Sequence, residues 1–117
     1  MTTDEKAGGF RYQEAESAFP YLSQLIGGYM HQDMDIEYDS ISDAVAGFAE
    51  IALPQERAGV KNDLERLSRR HNEEPDVFHE YFGADLDLAA IGVSFEDFAA
   101  MVIRVVDDPA AAKDFDI

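Results

Sequence analysis

Cysteine is absent from the 117 residues, which removes a disulfide framework, a thiolate metal site and a cysteine nucleophile together. That usage fits a reducing cytoplasm. Long apolar runs are absent too. The N-terminal Met-Thr-Thr-Asp-Glu-Lys-Ala-Gly-Gly holds none, and the longest uncharged stretch, Ser17 to Gln32, is broken by Pro20, Ser23, Gln24, Gly27 and Gly28. Neither a signal peptide nor a membrane span is expected. Lys and Arg are missing from residues 12–56, which carry nine acids. They return over 57–70, a block summing to +3, and after that only at Arg104 and Lys113, while 71–103 contributes −8 to the net charge of −16. Such a field repels phosphate backbones and anionic lipid, so direct binding to nucleic acid or membrane is not expected. A cationic protein is its natural complement, and solubility alone is the plain alternative.

What is present reads as one helical domain. A chain of this length buries about two-thirds of the surface its unfolded form exposes, enough to fold without a metal or a crosslink. Thr2 to Glu16 shows no sustained period and is read as a flexible arm, 1–16, disordered or loosely docked. Pro20 opens a helix in which Phe19, Leu22, Leu25, Ile26, Tyr29 and Met30 recur at helical spacing. Gly27 and Gly28 interrupt it at about 1 kcal/mol each relative to Ala, which suggests close approach of another helix or simply the helix end. Ser40 with Asp43 caps a second helix carrying Ile41, Val45, Phe48 and Ala52, stopped by Leu53-Pro54. Gln55 to Arg70 continues with Val60, Leu64 and Leu67, its basic residues crowding toward the C-terminus. Pro75 opens a short helix with Val77, Phe78, Tyr81 and Phe82, and Gly83 is placed for a left-handed cap. The linker Ala84 to Val93 could hold one helical turn. Ser94 with Asp97 then caps the cleanest amphipathic pattern, Phe95, Phe98, Ala99, Val102, Val105 and Val106, ending before Pro109. Residues 109–117 read as a frayed tail. No strict alternation marks a strand, so the expected fold is all-α, a compact single domain of about five helices over 1–117.

Chemistry concentrates in one acidic run. Asp33, Asp35, Glu37 and Asp39 stand at alternate positions beyond the first helix. A calcium loop counted from Asp33 needs glycine sixth and a bidentate Glu twelfth, and those places hold Tyr38 and Ala44. An EF-hand is excluded, and a looser cation site using His31 has only generic spacing, so no metal or other cofactor is assigned. One of these acids can turn or cap the backbone into the second helix. The rest repel one another with no Lys or Arg nearby in sequence, which favours recruiting a partner's cationic groups. Tyr38, between Glu37 and Asp39, is good material for an interface anchor. Tyr29, Phe78, Tyr81 and Phe82 lie at helical spacing and read as core. His31, His71 and His79 are separated, and no Gly-x-Ser-x-Gly, His-Glu-x-x-His or Gly-rich phosphate loop accompanies them. No catalytic residue is assigned, and the chain is read as a non-enzyme.

The stretch Gly27-Gly28-Tyr29-Met30-His31-Gln32-Asp33-Met34-Asp35, with Leu25-Ile26 before it and Glu37-Tyr38 after it, resembles a known signature. That signature, Leu-x-x-Leu-x-Gly-Gly-Tyr-Phe-His-Gln-Asp-Trp-Asp, belongs to small bacterial immunity proteins of contact-dependent growth inhibition systems. Met30 and Met34 depart from it, standing where aromatics are more usual. The resemblance is strong over Phe19 to Tyr38 and weak after Pro54. It implies a cytoplasmic protein, expected to be monomeric when free, that binds the basic C-terminal toxin domain of a cognate growth-inhibition protein and blocks it. Many such toxins are nucleases, and an acidic inhibitor can occupy a phosphate channel as a surrogate. On that reading Asp33, Asp35, Glu37, Tyr38 and Asp39 contact toxin, while Gly27, Gly28, Tyr29, His31, Gln32 and Asp33 serve as framework or interface. The tract Glu73 to Asp87 is the next candidate surface. Rival readings are an acidic adaptor for another basic partner and a small metal-dependent enzyme.

Overall fold

The computed structural model describes residues 14–29, 40–83 and 85–115. Six α-helices follow in order: α1 (Ala15–Ala18), α2 (Pro20–Tyr29), α3 (Ile41–Ile51), α4 (Pro54–His71), α5 (Val77–Phe82) and α6 (Phe95–Asp107). Two 3-10 segments, Ala89–Ile91 and Pro109–Asp114, complete the fold. No strand occurs among the described residues, and the fold is all-α.

The helices begin where local chemistry satisfies free N–H groups. Ser40 Oγ accepts from the Asp43 N–H at 3.1 Å, and Ser94 Oγ from the Asp97 N–H at 3.0 Å, the bonds their spacing predicts. Pro54 does more than stop α3, because it stands at the first turn of α4, where a missing N–H costs nothing. Leu53 has no capping oxygen, so its own N–H donates to Glu56 Oε1 at 2.8 Å. The Arg57 guanidinium turns back onto α3 and donates to the Ala49 and Ala52 carbonyls at 3.2 and 3.0 Å.

One apolar cluster unites the elements. Leu22, Leu25 and Ile26 of α2, Val45 and Phe48 of α3, Val60, Leu64 and Leu67 of α4, and Phe98, Met101 and Val102 of α6 are all buried. α2 packs on α4, α3 on both α6 and the Pro109–Asp114 segment, and α4 on α5 and α6. The short α5 contributes only aromatic and β-branched bulk: Phe78 sits 5.3 Å from Phe98, and Tyr81 meets Phe19 edge-on at 5.2 Å. Tyr29 likewise packs edge-on against Phe48 at 5.6 Å. These aromatics are core, as their spacing predicts.

Three expectations need correction. Residues 109–114 do not fray: Asp108 Oδ1 accepts from the Ala110 N–H at 3.2 Å, and Ala111 and Ala112 are buried. Gly83 is right-handed, with φ −63°, because the chain keeps turning through Leu86 N–H to Phe82 O at 2.9 Å. A Cβ at Gly83 would collide with the His79 ring. The left-handed glycine is Gly92, φ +72°, closing the 3-10 turn that the 84–93 linker holds. The expected arm, 1–16, lies outside the described residues up to 13, and Ala15 at its end is buried in α1. The third correction concerns close approach at Gly27 and Gly28. They lie one turn beyond Ser23 and Gln24, off the buried stripe, and both are exposed. No described residue comes within 4 Å of a Cβ built at Gly28. Close helix approach occurs instead at buried Gly59 of α4, where a Cβ would overlap the Tyr21 ring.

Candidate functional site

One turn beyond Gly59, Asp63 explains how α2 begins. Phe19 precedes Pro20 and offers no side-chain acceptor. Asp63, 3% exposed, supplies one from another helix: its Oδ2 accepts from the Tyr21 and Leu22 N–H groups at 2.8 and 3.0 Å. Its Oδ1 pairs with the Arg66 guanidinium, which also donates to the Ala18 carbonyl at 2.8 Å and lies 4.9 Å above the Phe19 ring. A buried carboxylate is tolerated here because two N–H groups and a cation satisfy it. The tertiary cap fixes the direction of α2, and with it the outward face that ends in Gly27 and Gly28.

That face lines a groove of about 540 Å3 whose walls include Ser23, Gln24, Gly27, Gly28, Glu16 and Asp85. Asp85 Oδ2 lies 4.0 Å from the Cβ position of Gly27. No Lys or Arg among the described residues lines the groove. Behind it the Tyr81 hydroxyl accepts from Arg70 at 2.9 Å, and this bond chiefly raises the Arg70 pKa, holding the guanidinium charged. Gln24 carries the surface onward by donating to Glu56 Oε2 at 3.4 Å.

The basic block of α4 is largely consumed internally. Arg57 caps α3, Lys61 pairs with Asp107 at 2.7 Å, Arg66 with Asp63, and Arg70 with Tyr81 and Glu74. Arg69 is left exposed beside a groove of about 370 Å3 that it shares with Arg66, Arg70 and Glu73. Glu16, Glu50, Glu73, Asp76 and Asp85 meanwhile have no ion pair among the described residues.

His71 stacks on Phe95 at 4.7 Å, its Nε2 lies 3.3 Å from Glu96 Oε2, and its buried Nδ1 has no hydrogen-bond partner. The ring serves packing against the start of α6. No group of three His, Cys, Asp or Glu among the described residues is placed to hold a metal ion. No described helix is long and apolar enough to cross a membrane.

Of the residues singled out by sequence, Gly27, Gly28 and Tyr29 are described: the glycines face the groove and Tyr29 faces the core. His31, Gln32, Asp33, Asp35, Glu37, Tyr38 and Asp39, with Met30 and Met34, lie outside the described residues. Sequence reasoning missed Asp63, although an acid on the Val60–Leu64–Leu67 stripe with Arg66 three residues on was a usable signal. The model of one family, the CdiI immunity proteins, matches residues 18–104, from the end of α1 into α6. Neither a curated protein nor a solved structure matches. The chain belongs to the CdiI immunity protein family.

Proposed function

We propose that this member of the CdiI immunity proteins binds the toxin domain of a cognate contact-dependent growth inhibition protein in the cytoplasm and covers its active site, performing no catalysis itself. The family match carries the reading, and the charge supports its finer points. A net charge of −16, with the cations of α4 tied into internal bonds, suits a partner that presents Lys, Arg or His to phosphate, which is the chemistry of a nuclease. The acids Asp33, Asp35, Glu37 and Asp39 with Tyr38 then act as the phosphate surrogate. The groove floored by Gly27 and Gly28 adjoins them in sequence and admits a cationic side chain between Glu16 and Asp85.

Co-expression tests this directly. The toxin domain encoded by the gene immediately upstream should arrest growth alone and cease to do so when this chain is present. The purified pair should form a complex that suppresses cleavage of DNA or RNA. Growth arrest that persists at full expression of this chain would sink the reading. A complex that leaves nuclease activity intact would remove active-site cover while keeping toxin binding.

A further inference from the structure

We infer that the corner joining α3 to α4 is the apolar anchor of the toxin interface, with Ile51 and Leu53 entering a nonpolar recess rimmed by Lys or Arg on the toxin. The inference rests on the toxin-neutralising reading and adds a location that the sequence pattern did not mark. Ile51 is 72% exposed and Leu53 54% exposed, the two most exposed large apolar side chains described. Single exposed aliphatics are ordinary on protein surfaces. Two within three residues, Ile51 closing α3 and Leu53 capping α4, lie outside the apolar cluster and are not explained by the fold.

Three observations point to the occupant. The corner is held in one shape before any partner arrives: the Ala52 N–H donates to Phe48 O at 2.9 Å, Arg57 clamps the Ala49 and Ala52 carbonyls, and the Leu53 N–H is bound by Glu56. Such pre-organisation reduces the ordering entropy of docking. The charge beside it is negative, since Glu50 is exposed without an ion pair and Arg57, the nearest cation in sequence, is turned inward to the carbonyls. A cationic partner is complementary and an acidic one is repelled. Finally, the corner is continuous with the glycine-floored groove, because Glu56 at the corner accepts from Gln24 in the groove wall. An apolar centre with a charged rim is the usual anatomy of a specific interface.

The upstream-encoded toxin domain, catalytically inactivated, is the probe, and calorimetric titration against the full chain is the measurement. Ile51→Ala with Leu53→Ala should weaken binding at least tenfold, about 1.4 kcal/mol, with melting unchanged. Ile103→Ala, at an exposed aliphatic of α6, should retain the parent's affinity. A second measurement uses the absence of native cysteine: Ile51→Cys carrying an environment-sensitive fluorophore should shift its emission to the blue when toxin binds. Parent-like affinity of the double variant, an equal loss from Ile103→Ala, or unshifted emission in a formed complex each overturns the anchor and leaves toxin neutralisation standing. Failure of the unaltered chain to bind the probe overturns both.

Discussion

Asp63 binds two backbone N–H groups of another helix and one guanidinium. Truncating it strands the Tyr21 and Leu22 N–H groups, while the half-exposed Arg66 guanidinium returns to water. A buried donor left unpaired costs about 1 to 3 kcal/mol. Asp63→Ala should therefore lower stability by about 2 kcal/mol in urea unfolding, whereas Asp63→Asn keeps an acceptor for α2 and should lose less. A loss under 1 kcal/mol from the alanine variant would mean that water serves α2 equally well. The glycines divide in the same experiment. Gly59→Ala drives a methyl into the Tyr21 ring and should destabilise by about 1 to 3 kcal/mol. Gly28→Ala meets no described residue on an exposed helical turn and should stabilise by up to about 1 kcal/mol. Equal effects at the two positions would contradict the packing described.

Helix limits were legible at the scale of the element wherever the signal is local. Ser40, Ser94 and Pro20 each mark a start and Leu53-Pro54 a stop, because a capping hydroxyl or a proline acts within its own turn; that Pro54 also opens α4 was not read from the sequence. Core membership was legible for the same reason: Phe95, Phe98, Val102, Val105 and Val106 follow one helical stripe. What escaped the sequence depends on partners distant along the chain. The assignment of close approach to Gly27 and Gly28 failed because a glycine in a helix does not reveal whether a neighbour faces it, while Gly59 is identified only once α2 is seen to cross α4. The Pro109–Asp114 segment escaped because Ala111 and Ala112 are buried by α3, not by any pattern of their own. The acidic run beyond Tyr29 was legible as chemistry only. Deleting residues 109–117 should lower stability by about 1 to 3 kcal/mol by uncovering α3, and unchanged thermal melting would show that the segment contributes nothing.

For the molecule as a whole, charge is the governing quantity. Association with a cationic toxin should be fast at low ionic strength and slow markedly as salt rises, because steering is screened beyond a Debye length of roughly 8 Å at physiological salt. Stopped-flow rates that ignore salt would rule steering out. Replacing Asp35, Glu37 and Asp39 by Asn, Gln and Asn should leave melting unchanged or raise it, while weakening toxin binding at least tenfold, about 1.4 kcal/mol. A triple variant that protects cells and binds like the parent would move the interface to the Glu73–Asp87 tract.

The capping of α2 by α4 also constrains the order in which the chain can fold. The acceptor for the Tyr21 N–H lies 42 residues downstream, so a nascent chain emerging N-terminus first exposes all of α2 before the residue that caps it. A ten-residue helix with two glycines near its end is too short to persist alone in water. α2 should therefore remain largely unformed during synthesis until Asp63 and Arg66 have cleared the ribosome, and then dock onto α4 as it folds. The outward face bearing Gly27 and Gly28 would come into being only at that step, after completion of at least the first half of the polypeptide.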